Sequence, residues 1–371
     1  MSIKMWKKNH INYLTESNFD QKEVLKTLEE FDINKLEENE KIIFQKILVN
    51  FKNEDFSLLD TQEIEFLNKN SSEIWAPYLI HRYNFGFYEN NPVKPNFPIY
   101  LILEPVSICN LRCPFCHQVD DKFTKNKEMM GMMNLDLFKK IIDESSKKGT
   151  KAITLTSRGE PTLHPKLGEM LLYCKDKFLE FKMNTNATKL TEKLIHDILK
   201  SDPSDLVFSV DSYYKEEFES LRVNANFEQV LENIKKFKEI REKFYPNSRC
   251  ITRISGVQVS EKQDPLKFKE FWEKYVDFVV MVKMLTKWDI YNNSKEEMRD
   301  SPCHYLSRSL SIYFDGSIIP CDMDYQATLK LGSLSESTIE NIWNGENHKK
   351  LFENHRNGKR NTCFPCDRCP A

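Results

Sequence analysis

The 371-residue chain has no apolar run long enough to cross a membrane. Its first residues, Met1 to Lys4, lack the apolar core of a secretory signal. Both absences predict a cytoplasmic protein without a membrane partner. Charge of one sign is missing too: 54 Lys and Arg offset 56 Asp and Glu, for a formal net charge of -2. That balance offers no electrostatic footing for nucleic acid. No internal repeat or low-complexity tract is present. Hydrophobic residues make up 40% of the chain, enough for a sizeable core and against global disorder. Cysteine is absent from the first 97 residues, yet ten follow. A reducing cytosol argues against disulfides. Eight of the ten fall in two short-spaced groups, which points to metal ligation.

Residues 1–97 carry apolar residues at helical spacing over 20–31, 35–51 and 61–68, with little β-pattern. A helical N-terminal extension is expected, bounded by the proline-containing stretch 91–98. From there the pattern alternates. Short apolar, β-branched runs at 99–106, 152–156, 181–184, 206–210, 250–259 and 278–284 predict strands. Amphipathic helices are expected between them at 135–147, 166–177, 192–199, 227–243 and 266–274. This alternation predicts an α/β fold over residues 98–290, a parallel sheet curling into a partial (β/α)6 TIM-like barrel. Chemistry in such sheets sits at the carboxyl ends of the strands. The rhythm stops near Lys287, and residues 291–371 read as a small Cys-rich C-terminal domain.

The first cysteine group, Cys109, Cys113 and Cys116, has the spacing C-x3-C-x2-C on the loop after the first barrel strand. Three thiolates leave one corner of a four-iron cluster open to a ligand, whereas a structural site is closed. A zinc site completed by His117 is the plainer alternative, but zinc sites more often use two matched C-x2-C pairs.

This loop resembles the signature of the radical S-adenosylmethionine (SAM) superfamily, including the aromatic Phe115 before the third cysteine. The resemblance implies a [4Fe–4S] cluster that binds SAM and yields a 5′-deoxyadenosyl radical able to take hydrogen from an unactivated C–H bond. It also implies further roles, one strand end at a time. Glu160, within Ser157-Arg158-Gly159-Glu160-Pro161, would accept hydrogen bonds from the SAM ammonium. Arg158 stands where the family often has glycine. Asn186 resembles the asparagine of a Thr-Asn-Gly element that contacts ribose, with Ala187 in place of the glycine. Ser209 ends the fourth barrel strand, and Arg222 stands where relatives pair an arginine with the SAM carboxylate.

The second group begins with Cys303-x12-Gly316-x4-Cys321, with Asp315-Gly316 as a hairpin signal. After a helix expected near 339–354 come Cys363, Cys366 and Cys369. This arrangement resembles the SPASM domain and its shorter twitch form, which bind auxiliary [4Fe–4S] clusters. Five cysteines imply one auxiliary cluster. The favoured ligands are Cys303, Cys321, Cys363 and Cys366, with Cys369 able to replace Cys363. Structural zinc on the same residues is the alternative. Cys174 and Cys250 read as buried thiols, Cys250 having a second reading as a hydrogen donor inside the barrel.

A second cluster implies electron traffic. If the radical takes hydrogen from a carbon bearing –OH or –NH2, a base and an electron acceptor complete an oxidation. The resemblance to sulfatase-maturating relatives makes Asp322, beside Cys321, that base, with Asp324 as the lesser candidate. Twitch relatives suggest a sugar or aminocyclitol as substrate. Redox-neutral epimerisation and peptide modification are alternatives, the latter weakened by an N-terminus without a clear hairpin. A non-catalytic iron–sulfur or zinc protein is the alternative from another class, and it has no use for Glu160 or Arg222. An enzyme of this kind needs an electron donor such as flavodoxin or ferredoxin.

Overall fold

Short β-branched runs separated by amphipathic helices build one mixed sheet in this computed structural model, which describes residues 10–13, 20–91, 93–284, 289–295 and 301–370. Its strands are β1 (His10–Tyr13), β2 (Tyr100–Leu103), β3 (Ala152–Leu155), β4 (Glu180–Thr185) and β5 (Asp205–Ser209). They continue with β6 (Ile251–Gln258), β7 (Phe278–Lys283), β8 (Ser309–Ile312), β9 (Ser317–Ile319) and β10 (Gly332–Ser333). The order across the sheet is β1-β7-β6-β5-β4-β3-β2-β8-β9-β10. The six strands expected from sequence are β2 to β7, each parallel to the next. The point near Lys287 where the rhythm stops lies outside the described residues.

The register separates the two faces. Leu101, Ile153, Phe181 and Leu206 turn to the helices and join the main hydrophobic core. Ile102, Thr154, Lys182 and Asp205 form one cross-strand row on the other, inner face of the partial barrel. Period-two alternation thus makes an apolar outside and a polar inside. Strand β8 adds to the sheet in parallel beside β2. The Asp315-Gly316 turn, with Gly316 at φ +83, then reverses the chain into β9. Leu310, Ile312, Ile339 and Trp343 share the same core as the barrel helices. The helix expected over 339–354 is two helices, Ile339–Trp343 and Glu346–Arg356. It breaks at Asn344-Gly345, where Asn344 Nδ2 donates to the Asn96 carbonyl and Trp343 Nε1 to that of Pro95.

The N-terminal residues form helices Gln21–Glu29, Glu38–Lys52, Thr61–Lys69 and Trp75–Asn90 around their own core of Leu28, Phe44, Phe51, Phe66 and Tyr78. Two features depart from the sequence pattern. Strand β1 pairs antiparallel with β7 in a segment expected to be helical. Its stability comes from the open backbone edge of β7, which no local pattern reports. Helix Trp75–Asn90 was not picked out because Tyr78, Leu79, Ile80 and His81 are buried in succession, leaving no single apolar stripe.

These helices close the amino end of the barrel. His81 Nε2 lies 3.3 Å from Glu180 Oε2, and Arg82 bridges Glu63 (2.6 Å) and Glu180 (3.4 Å). Burial pushes the Glu180 carboxyl up, but Arg82 and His81 outweigh it and hold it at about 2, below the usual 4.5. Its folded pKa is depressed, so its contribution to stability is complete above pH 4.5 and is lost as pH falls toward 2. That contribution is on the order of 3 kcal/mol. Denaturant titrations of Glu180→Gln across this window are expected to show a flatter acid limb than wild type. Parallel curves would mean the carboxylate is not held by Arg82.

Candidate functional site

The loop carrying Cys109, Cys113 and Cys116 leaves the carboxyl end of β2 and is braced by the ends of β3 and β4. Glu160 N donates to the Ile108 carbonyl at 3.0 Å. A Cβ on Gly159 would collide with the carbonyl oxygens of Val106 and Ile108, so this position requires glycine. From β4, Asn186 Nδ2 donates to Asn110 Oδ1 (3.0 Å), and Asn110 Nδ2 donates to Thr188 Oγ1 (2.9 Å). Within the loop, Leu111 N points at Cys109 Sγ (3.4 Å).

The three cysteines share one cavity of about 320 Å³ with Phe115, Glu160, Asn186, Ser209, Arg222 and Asp322. Every residue singled out from the first motif and its strand-end partners therefore faces one space. Glu160 is buried, and its Oε1 accepts from Thr162 N, Thr162 Oγ1 and Thr185 Oγ1. Among the described residues its Oε2 accepts only from Asn186 N, at 2.7 Å, leaving a lone pair for a further donor. Burial pushes this carboxyl above its usual value, against the pull of those donors. Arg222 pairs with the buried Asp211 and lies 5.7 Å from the Phe115 ring centre. It also acts electrostatically on Cys113. Burial pushes the thiols of Cys109 and Cys116 up to about 12 and 11. His117 is stacked on Tyr325 with Nε2 against the Arg158 carbonyl. Cys174 and Cys250 lie in the hydrophobic core and do not line the cavity.

The second cysteine group converges from three chain segments. The charges of Cys303, Cys366 and Cys369 all act on Cys321. Arg360 straps this corner, donating to the carbonyls of Ser301, Cys366 and Cys369. Cys363 has its sulfur against the Lys359 carbonyl (3.7 Å) and Asn354 Nδ2 (3.6 Å), and it too acts on Cys366. Asp324 is buried and accepts from Tyr291 OH, Thr328 and Leu329 N, so it shapes its loop. Asp322 instead lines the cavity.

One pair joins the two cysteine regions and escaped the sequence reading. Arg158 forms a two-pronged ion pair with Glu104, both bonds at 2.6 Å, in a fully buried setting. Its Nη1 donates to the Tyr325 carbonyl (2.9 Å), and its guanidinium lies 3.4 Å from the Tyr313 ring centre. The departure from glycine at this position was the available signal.

Comparison with known proteins agrees with this geometry. Residues 103–268 match the model of the radical SAM superfamily, and residues 303–370 match SPASM, an iron–sulfur cluster-binding domain. The chain carries a radical SAM domain followed by a SPASM domain. The tungsten-containing aldehyde ferredoxin oxidoreductase cofactor-modifying protein of Pyrococcus furiosus is 34% identical over 116 residues, 30% of either chain. A cysteine-type anaerobic sulfatase-maturating enzyme of Clostridium novyi is 23% identical over 313 residues, 69% of this chain and 82% of that one. The crystal structure of Streptococcus suis SuiB bound to S-adenosylmethionine superposes with a TM-score of 0.56 at 16% identity, covering 90% of this chain and 88% of that one. Against the Pyrococcus relative and several GTP 3′,8-cyclases, the chain spans 30% to 53% of the relative's length.

The radical SAM domain implies a [4Fe–4S] cluster with SAM, and the SPASM domain implies auxiliary iron–sulfur clusters. The cavity fits the first requirement. Three thiols face it, and Ser157 Oγ and Asn184 Oδ1 line it as buried polar atoms without a hydrogen-bond partner. Unmet groups of this kind are what a polar ligand satisfies.

Arg158 generates a prediction for this radical SAM protein. Arg158→Met leaves the Glu104 carboxylate buried and unpaired, at a cost of about 3–5 kcal/mol. Adding Glu104→Gln is expected to restore part of that stability. Hydrogen exchange at residues 322–328, followed by mass spectrometry, should nevertheless stay faster than in wild type, because the bond to the Tyr325 carbonyl is gone. Wild-type exchange in the double variant would sink the idea that Arg158 holds this loop.

Proposed function

We propose that this protein is a radical SAM enzyme that oxidises a C–H bond beside a hydroxyl or amine on a small polar substrate. The carrying observation is that Asp322, adjacent to Cys321, lines the same cavity as Cys109, Cys113 and Cys116. Bound there, the cluster and SAM supply a hydrogen-abstracting 5′-deoxyadenosyl radical, and a cluster on the C-terminal cysteines supplies an electron sink.

The chain's own residues do the rest. The remaining lone pair of Glu160 Oε2 would receive the SAM ammonium, Arg222 would meet the carboxylate, and Asn186 and Ser209 would meet the nucleoside. Asp322 takes the proton from the substrate hydroxyl or amine as the carbonyl or imine forms. Substrate thus loses one hydrogen atom, one proton and one electron. A reductant such as flavodoxin or ferredoxin provides the electron that starts each turnover. Among the C-terminal cysteines, the mutual placement of Cys303, Cys321, Cys366 and Cys369 supports these four as ligands, with Cys363 aside. The redox-neutral alternative gains no thiol from Cys250, which lies in the core.

Iron and sulfide analysis after anaerobic reconstitution tests this reading. Wild type is expected to hold about eight irons per chain, and the Cys109/Cys113/Cys116→Ala variant about four. Cys369→Ala should fall to about four while Cys363→Ala keeps about eight. Zinc retained at the C-terminal group in place of iron would remove the electron sink and with it the oxidation. With a substrate in hand, Asp322→Asn should lower product formation by about 10²–10⁴-fold.

A further inference from the structure

The inner face of the barrel holds two cations that the proposed reaction does not use. Lys182 on β4 lies in the row Ser311, Ile102, Thr154, Lys182, Asp205. Arg253 on β6 lies in the next row with Asn184 and Val207. Asn184 lines the cavity that holds the three cysteines, so Arg253 is level with that lining residue and Lys182 sits one row beneath it. Among the described residues, neither the Lys182 nor the Arg253 side chain makes a hydrogen bond or a close ion pair, and Arg253 Nε is a buried donor without a partner.

The acids nearby take their hydrogen bonds from other residues. Asp205 accepts from Ser204 Oγ at 2.8 Å. Glu180 is held by His81 and Arg82. Burial pushes the Lys182 ammonium down to about 8, with Arg253 adding to the fall and Asp205 and Glu180 opposing it. Among the described residues, Ser311, 1% exposed and in the same row as Lys182, has a buried Oγ without a partner, able to donate to an anion. A buried, unpartnered Arg253 Nε beside a Lys182 ammonium that burial disfavours is costly unless an anion completes the pair. Beside Lys182 in the same row, Thr154 Oγ1 accepts from the Tyr100 hydroxyl (2.9 Å), and Tyr100 feels the charge of Asp322.

We propose that the inner face beneath the cysteine loop is the substrate chamber, where Lys182 and Arg253 hold an anionic oxygen group, carboxylate or phosphate, of the molecule being oxidised. The substrate class follows: a hydroxy or amino compound bearing an acid group at one end, its reacting carbon near Asp322 and its anion at the cation pair. This rests on the reading of the cysteine cavity as the reacting end.

Isothermal titration calorimetry on the reconstituted full-length protein with SAM tests it, using inorganic phosphate and malonate as probes. Wild type is expected to bind one of them stoichiometrically, phosphate marking a phosphate ester and malonate a carboxylate. Lys182→Met and Arg253→Met should each weaken that binding at least about ten-fold. Lys182→Arg, which keeps the charge, should retain most of it and guards against misfolding as the cause. Absence of binding to wild type, or equal binding in both methionine variants, overturns the proposal. Iron content and 5′-deoxyadenosine release are measured on the same wild-type sample. Their absence beside intact anion binding would refute the proposed reaction and leave the anion site standing.

Discussion

The architecture of the site depends on one buried carboxylate. Glu160 gathers four donors, the backbone and hydroxyl of Thr162, the hydroxyl of Thr185 on β4 and the backbone of Asn186. A charge so enclosed is expensive unless its lone pairs are filled. Filling them draws the carboxyl ends of β3 and β4 together, and Asn186 then reaches Asn110 inside the cysteine loop. The cysteines are placed by this chain of bonds, since loop residues alone have little to define their geometry. One lone pair remains open toward the cavity, so the group that organises the protein also retains capacity for a ligand.

A second buried charge extends the same logic to the C-terminal cysteines. Glu104 at the end of β2 accepts from Arg158 and from Phe314 N, and Arg158 reaches the Tyr325 carbonyl. Strand β8 already lies beside β2, so the C-terminal segment is continuous with the barrel through both backbone and ion pair. The strap brings Asp322 to the rim of the cavity. An arginine at position 158 is compatible with the sharp approach at Gly159 because only the neighbouring Cα must pass close to the Val106 and Ile108 carbonyls.

Legibility followed the range of the interactions involved. Strands β2 to β7 were readable because each carries a local apolar run, and the cysteine loop because three thiols at fixed spacing have few uses. Strand β1 was not readable, since its pairing with β7 joins residues far apart in the chain. Helix Trp75–Asn90 was obscured by burial on several sides. At the site, the strand-end residues were found one by one through resemblance, but the occupation of Glu160 and the partnership of Arg158 with Glu104 are non-local. Among the C-terminal cysteines, the sequence favours Cys363 with Cys369 as its possible replacement. In the fold, Cys363 turns toward the Lys359 carbonyl while Arg360 holds the backbone of Cys366 and Cys369.

Backbone strain is concentrated at the same strand ends. Ser157 has φ +119 and Ala187 has φ +61, conformations that side-chain-bearing residues avoid. Each costs of order 1–3 kcal/mol and persists only where the surroundings over-determine it. Around Ala187 they do. Its amide donates to Thr185 Oγ1, its carbonyl accepts from Asn233, and the next residue is held by Asn186 Oδ1. Its methyl group is buried in the core, which offsets part of the strain by about 0.8 kcal/mol. Glycine there would relax the backbone but widen the choices open to the turn that positions Asn186. Ser157 lacks such compensation: its hydroxyl is buried, unpartnered and lines the cavity. Strain without an internal reward belongs to a position selected for what binds beside it, which is why the unmet hydroxyl of Ser157 argues for a ligand at this end of the barrel independently of the cysteines.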